Sequence, residues 1–144
     1  MPVLFDSSIY ITALREGGTA ALLLQRWARE SPLWLSSVVL EELYAGANPS
    51  DYRILEKLER DFERAKRVLI PSLSDLTNAG KVLARVGQKY GFEQIGRARL
   101  TNDALIATNA ARNGITVLTT NQRDFARLAE FCPLHWQTRA VQGS

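Results

Sequence analysis

The apolar residues of this chain fall into short runs that alternate with longer stretches of helical periodicity. Pro2-Val3-Leu4-Phe5 is a brief apolar run ending at Asp6 and predicts a buried strand. Ser7 and Ser8 open a helical stretch to Arg15, which Gly17-Gly18 ends. Thr19 is placed to cap a second helix to about residue 30, with Leu23 and Trp27 on one face, and Pro32 stops it. Leu33-Trp34-Leu35 predicts a second strand. Ser36 or Ser37 then caps a helix that carries Val38 to Tyr44 and ends at Gly46. Asn48-Pro49-Ser50 reads as a turn, with Ser50 capping a long helix whose stripe is Leu55, Leu58, Phe62 and Ala65. Val68-Leu69-Ile70 predicts a third strand. Ser72 or Ser74 caps a helix to Tyr90, and Gly91 to Arg99 reads as a loop. Thr101 is the expected cap of a helix of small residues, Ala104, Ala107, Thr108 and Ala111, ending at Gly114. Ile115 to Leu118 is the fourth strand, Asn121 to Glu130 a short helix, and Leu134 to Trp136 the fifth strand.

Strands and helices that alternate along the whole chain predict an α/β fold with a parallel sheet covered on both faces. The length, 144 residues, suits one domain over 1–140 with a tail at 141–144. The 46% apolar and 23% charged fractions are ordinary for a globular domain. No apolar run approaches the ~20 residues of a membrane span. The single cysteine, Cys132, excludes an internal disulfide, and together these features predict a cytoplasmic protein. The net charge of +3 is a mild bias compatible with an anionic partner. The single His135 excludes zinc sites built on several His and Cys ligands, and no nucleophile-elbow sequence accompanies it.

What the chain holds in quantity is carboxylates. In an open parallel sheet, sites form outside the carboxyl ends of the strands where strand order reverses. That rule selects Asp6 after the first strand, and Thr119, Thr120 and Asn121 after the fourth, with Asp124 one turn on. Asp103 falls in the first turn of the helix assigned to Thr101, and Glu42 in the helix after the second strand. Taken singly, each acid has a structural reading. Asp6 can cap the following helix, Asp103 can answer a helix N-terminus, and Asp124 can be a solvated helix residue. Together they would repel one another in a cleft, and a divalent cation would relieve that repulsion. An oxygen-rich set without His or Cys suits Mg²⁺ or Mn²⁺.

Four segments carry a resemblance. Val3-Leu4-Phe5-Asp6-Ser7-Ser8, Ser36 to Gly46 with Glu42-Leu43 inside it, Asn102-Asp103-Ala104-Leu105-Ile106-Ala107, and Thr119-Thr120-Asn121-Gln122-Arg123-Asp124-Phe125 resemble the four motifs of PIN-domain ribonucleases of the VapC toxin type. They occur in family order over residues 3 to 125, and the alignment selects Glu42 over Glu41. The resemblance implies a PIN-like three-layer sandwich with a central, mostly parallel five-stranded sheet in the order 3-2-1-4-5. It implies that Asp6, Glu42, Asp103 and Asp124 form a catalytic cluster binding Mg²⁺ or Mn²⁺, supported by Ser7, Thr119 and Asn121. Some relatives carry Asp at the position of Asn121, so either Asn121 or Asp124 supplies the fourth ligand. It further implies a homodimer, an RNA substrate and a cognate VapB-type antitoxin. Arg97 and Arg99, in the loop before Asp103, are candidates for phosphate contacts. The helices at 19–30 and 51–66 offer Leu23, Leu24, Trp27 and Tyr52 to an antitoxin, or else use them as core. Three other readings stand beside this one: an inactive binding module of the same fold, a phosphotransfer domain of aspartyl-phosphatase or receiver type, and a DNA or flap nuclease of the same superfamily. The phosphatase needs a second Asp where this chain has Ser8, and the receiver needs an Asp where Pro71-Ser72 stands.

Overall fold

A computed structural model describes residues 1–16, 32–94 and 98–138. The segment expected to form a helix at 19–30, with Leu23, Leu24 and Trp27, lies outside the described residues, as do Arg97 and the tail. Five strands form a sheet: β1 (Val3–Phe5), β2 (Leu33–Ser36), β3 (Val68–Leu69), β4 (Thr116–Thr119) and β5 (Trp136–Thr138). Six helices accompany them among the described residues: α1 (Ser7–Glu16), α2 (Ser37–Ala45), α3 (Tyr52–Arg64), α4 (Leu73–Tyr90), α5 (Ala98–Arg112) and α6 (Gln122–Ala129). The strand order is 3-2-1-4-5 and every pairing is parallel, as the resemblance implied.

β1 is the central strand, and Val3, Leu4 and Phe5 are all buried, as a strand covered on both faces must be. Its neighbours fix the site. Leu4 is in register with Val117 and Phe5 with Leu118, so the next step along each strand brings Asp6 beside Thr119. The Asp6 amide continues the ladder to the Leu118 carbonyl at 3.0 Å. The chain leaves β1 for β2 on one side and β4 lies on the other, which makes this the point where strand order reverses.

Helix ends are set by local chemistry. The Ser36 side chain accepts the Val39 amide and caps α2, and Ser72 caps α4 by accepting the Asp75 amide at 3.2 Å. α5 ends in a Schellman turn: Gly114 adopts φ +66, its amide reaches the Ala111 carbonyl, and the Ile115 amide reaches Ala110 at 3.0 Å. The same motif ends α3, with Lys66 at φ +58 in the position glycine usually takes. Small residues on α5, Ala104, Ala107 and Ala110, are fully buried and let this helix pack closely within the core.

Four expected boundaries are corrected. α5 starts at Ala98 rather than at a Thr101 cap, which places Arg99 inside the helix and Asp103 in its second turn. Ser50 does not cap α3; a 3-10 turn, Pro49–Asp51, precedes it, and the Asp51 carboxylate accepts the Asn48 amide at 3.3 Å. Ile70 leaves β3 because β2 ends at Ser36, already paired with Leu69, and Pro71 follows. β5 lies at 136–138, because Leu134 contributes burial rather than strand pairing.

Candidate functional site

At the carboxyl edge of β1 and β4 the buried side chains turn from apolar to acidic and hydroxylic. Asp6, Ser7, Ser8, Asp103, Thr119 and Asp124 are all buried there. Asp6 is held from both sides. One carboxylate oxygen accepts the Ser8 amide at 3.1 Å and the Ser8 hydroxyl; the other accepts the Thr119 hydroxyl. The first contact is a helix cap, so the structural reading of Asp6 is also true of it. Thr119 in turn accepts the Asn121 amide at 2.9 Å, and Ser8 accepts the Thr120 amide at 3.2 Å. These bonds tie the loop after β4 to the loop after β1.

Asn121 is the second organiser. Its Oδ1 accepts the Asp124 amide and caps α6, while its Nδ2 donates to Asp124 at 3.0 Å and to Asp103 at 3.3 Å. The amide therefore bridges two carboxylates that come from different helices. α2 brings in Glu42, half-buried, whereas Glu41 beside it is exposed. The side chains of Asn102 and Ser7 lie close enough to Glu42 to favour its ionised form. Its Oε1 is buried and meets no donor among the described residues.

The electrostatics follow from this gathering. Burial pushes the Asp103 carboxyl up to about 8, aided by repulsion from Asp6, Glu42 and Asp124 and opposed by Arg99. Burial also raises Asp6, against the hydrogen bonds from Ser8 and Thr119. Glu42 is raised by burial and by the charge of Asp6. Arg99 lowers all three, so its guanidinium faces the cluster from one turn before Asp103 on α5. Helical placement of Arg99 was not expected, and it accounts for that approach.

The four acids expected at the site are thus brought into one electrostatic group, with Ser7, Thr119 and Asn121 among them. Ser8 and Asn102 were missed. Ser8 is two residues beyond Asp6, the spacing of a side-chain cap, and that signal was available. Among the described residues, no three acidic, His or Cys side chains converge on one point closely enough to coordinate an ion unaided. The donors are nevertheless hard oxygens, and one is an unpartnered buried carboxylate oxygen. That set fits Mg²⁺, which keeps several waters and takes only one or two carboxylates directly. A depression of about 500 Å³ lined by Met1, Gly114, Thr116, Leu134, His135, Trp136 and Gln137 lies at the opposite, amino edge of the sheet and shares nothing with this cluster.

A parallel five-stranded sheet in this order, with acids gathered at its switch point, defines an α/β domain of PIN type. The PIN-domain family profile matches residues 3–131, and the chain belongs to that family. Among solved structures it is similar to VapBC2 from Rickettsia felis bound to a DNA fragment from their promoter, at 23% identity and TM-score 0.66, covering 97% of this chain and 100% of that one. It is also similar to DNA-bound VapBC from Salmonella typhimurium, at 20% identity and TM-score 0.69, covering 96% and 98%. VapBC-1 from nontypeable Haemophilus influenzae matches at 23% identity and TM-score 0.61, covering 96% and 98%. At these identities the likeness is one of fold. Comparison with curated protein sequences found no match.

Proposed function

We propose that this protein is a Mg²⁺- or Mn²⁺-dependent endoribonuclease of the VapC type, the toxin of a toxin–antitoxin pair. The observation that carries the reading is the acidic group at the β1–β4 switch point, where Asp6, Glu42 and Asp124 all repel the buried Asp103 and, among the described residues, Arg99 opposes them. Family membership and the fold likeness to VapBC proteins support it. Asp6, Asp103 and Asp124 would hold the cation, directly or through water, with Glu42 as a further ligand. A divalent cation in that place supplies charge to the phosphodiester under attack and acidity to the attacking water. The chain's own groups do the rest. As the alternative to binding a second ion, Glu42, whose proton affinity burial raises, would take up the proton of that water. Arg99, whose charge reaches the cluster, would orient a phosphate oxygen. Ser8 and Thr119 hold the Asp6 carboxylate in one orientation, and Asn121 does the same for Asp103 and Asp124.

The same reading makes the protein cytoplasmic, homodimeric and bound by a VapB-type antitoxin. No helix among the described residues is long and apolar enough to cross a membrane. Ile70, Leu73 and Leu76 stand exposed around the start of α4 and provide an apolar face for a second copy. Tyr52, 43% exposed and edge-on to Tyr44, remains available to an antitoxin.

The test is cleavage of RNA by the purified chain with Mg²⁺ or Mn²⁺ against EDTA. Cleavage is expected with either metal and not with the chelator. Asp6→Asn, with folding verified by circular dichroism, is expected to lose it. Undiminished metal-dependent cleavage by the folded variant would overturn the assignment of Asp6.

A further inference from the structure

Surface charge is distributed very unevenly over the helices. α3 is balanced: Arg53, Lys57, Arg60 and Arg64 stand against Glu56, Glu59, Asp61 and Glu63. α4 is not. From Leu76 to Phe92 the chain holds Lys81, Arg85 and Lys89 and no carboxylate. Their spacing of four puts them along one face, and all three are exposed. α6 lies against α4 and adds Arg123, exposed, and Arg127, half-buried, again four apart.

Aromatic rings join the two rows. The Arg127 guanidinium lies 4.1 Å from the centre of the Tyr90 ring, and the Lys89 ammonium 5.2 Å from the same ring. The Arg85 guanidinium lies 5.5 Å from the ring of Phe131, just beyond α6. Such contacts restrain long cationic side chains while leaving N–H donors free at their edges. Among the described residues, Glu130 is interleaved with them and is engaged by Lys89 and the Tyr90 hydroxyl, while exposed Glu93 follows Phe92 and buried Asp124 faces the acidic site. Phe92 follows two residues after Tyr90 with 63% of its surface exposed.

This basic face begins at the acidic site. Arg123 precedes Asp124 directly, and Arg127 is one turn further along α6. An acidic cleft repels a polyanion, so a strand must be held by cations beside it. We propose that Lys81, Arg85 and Lys89 of α4, with Arg123 and Arg127 of α6, form a track for the phosphate backbone of an unpaired RNA strand entering the acidic site, with Phe92 as a platform for one of its bases. This rests on the nuclease reading above. In the free protein Glu130 neutralises one rung of the track, Lys89.

The experiment is binding of a labelled 2′-O-methyl oligouridine to the full chain by fluorescence anisotropy across a salt series. Arg85→Ala with Lys89→Ala is expected to weaken binding and flatten the log–log salt slope by about 1.4, near 0.7 for each phosphate of a single strand that the variant no longer neutralises. Phe92→Ala is expected to weaken binding about fivefold or more and leave the slope alone. Glu130→Gln is expected to tighten binding. Arg60→Ala with Arg64→Ala removes the same charge from α3 and is expected to change neither quantity. If the α4 pair keeps the parent slope, or the α3 pair flattens it as much, while RNA cleavage by the parent persists, the track is wrong and the nuclease reading stands. If the parent neither binds nor cuts RNA, both fall together.

Discussion

Asp75 and Asp103 sit on adjacent packed helices, α4 and α5, and are equally hidden, at 0% and 2% exposure. Their surroundings are opposite. Asp75 receives two parallel hydrogen bonds from Arg112, at 2.7 and 2.9 Å, and one from the Ser72 amide at 2.9 Å. Burial pushes its carboxyl up, but the Arg112 bonds, the Ser72 amide and the Arg112 charge outweigh that and hold it below its ordinary value. Asp103 receives one Asn121 amide at 3.3 Å and faces Asp6, Glu42 and Asp124. One carboxylate is paired with a cation inside the fold; the other faces three further carboxylates, which Arg99 opposes. Burial by itself therefore does not mark a functional acid. What separates the two acids is whether a cation is matched to them.

The sharpest way to break this comparison is to remove each charge in turn. Asp103→Asn keeps the shape and can still accept from Asn121. It is expected to reduce metal-dependent RNA cleavage by more than about a hundredfold, the upper end of what outer-shell substitutions cost at metal sites. The same variant, metal-free at pH 7, is expected to be as stable as the parent or more so, because a repelled buried acid has gone. Single-turnover cleavage and urea denaturation read the two effects. A variant that unfolds more easily than the parent would make Asp103 a structural acid like Asp75.

Asp75→Ala should behave in the reverse manner. It leaves Arg112 unpaired and removes the carboxylate that accepts the Ser72 amide, one half of the capping box of α4, while the Ser72 side chain still caps the helix. The expected loss is about 2–4 kcal/mol, below the full cost of breaking a buried pair because the Arg112 side chain is 45% exposed and reaches water. Cleavage per folded molecule should remain near the parent value. Urea midpoints with unchanged m-values check the first statement, and activity corrected for folded fraction checks the second.

The contrast between these two aspartates was only half visible in the sequence. Asp6, Thr119 and Asn121 were legible because a short apolar run ending in a polar residue marks the carboxyl end of a parallel strand, and chemistry collects there. Glu42 over Glu41 was legible through the motif around it and not through periodicity, since the buried face of α2 is set by helices distant in sequence. Asp75 was not singled out. It reads as an ordinary first-turn acid, and its partner Arg112 is 37 residues away, paired by the packing of α4 on α5. Nothing between Gly91 and Thr101 looks like a helix start in the sequence, so Arg99 reads as a loop residue and its four-residue spacing from Asp103 carries no meaning there. Ser8 acts through its side-chain bond to Asp6, and Asn102 through its nearness to Glu42, acids whose positions had to be known first. Sequence periodicity reports which face is buried; it does not report which charges cancel.

Acidity provides the last comparison, and the sign differs between the two carboxylates. Asp103 is held at about 8, above its ordinary 3.8, so the folded metal-free chain retains a proton that the unfolded chain has released. Stability then falls as pH rises from about 4 to about 8, at up to about 1.4 kcal/mol per pH unit from one group. Asp6 and Glu42, also raised by burial, act in the same direction. Asp75 is lowered, so its contribution is complete above about pH 4 and is lost as pH falls through its depressed folded value. In EDTA, urea denaturation between pH 4.5 and 8 (about the window those shifts define) is expected to show declining stability with rising pH, and Asp103→Asn to flatten the decline. Adding Mg²⁺ is expected to reverse it, because a cation that binds ionised carboxylates stabilises the folded state more as they lose protons. A metal-free slope that survives intact in the Asp103→Asn variant would mean that this acid is not the strained member of the cluster, and that its likeness to Asp75 is greater than its surroundings indicate.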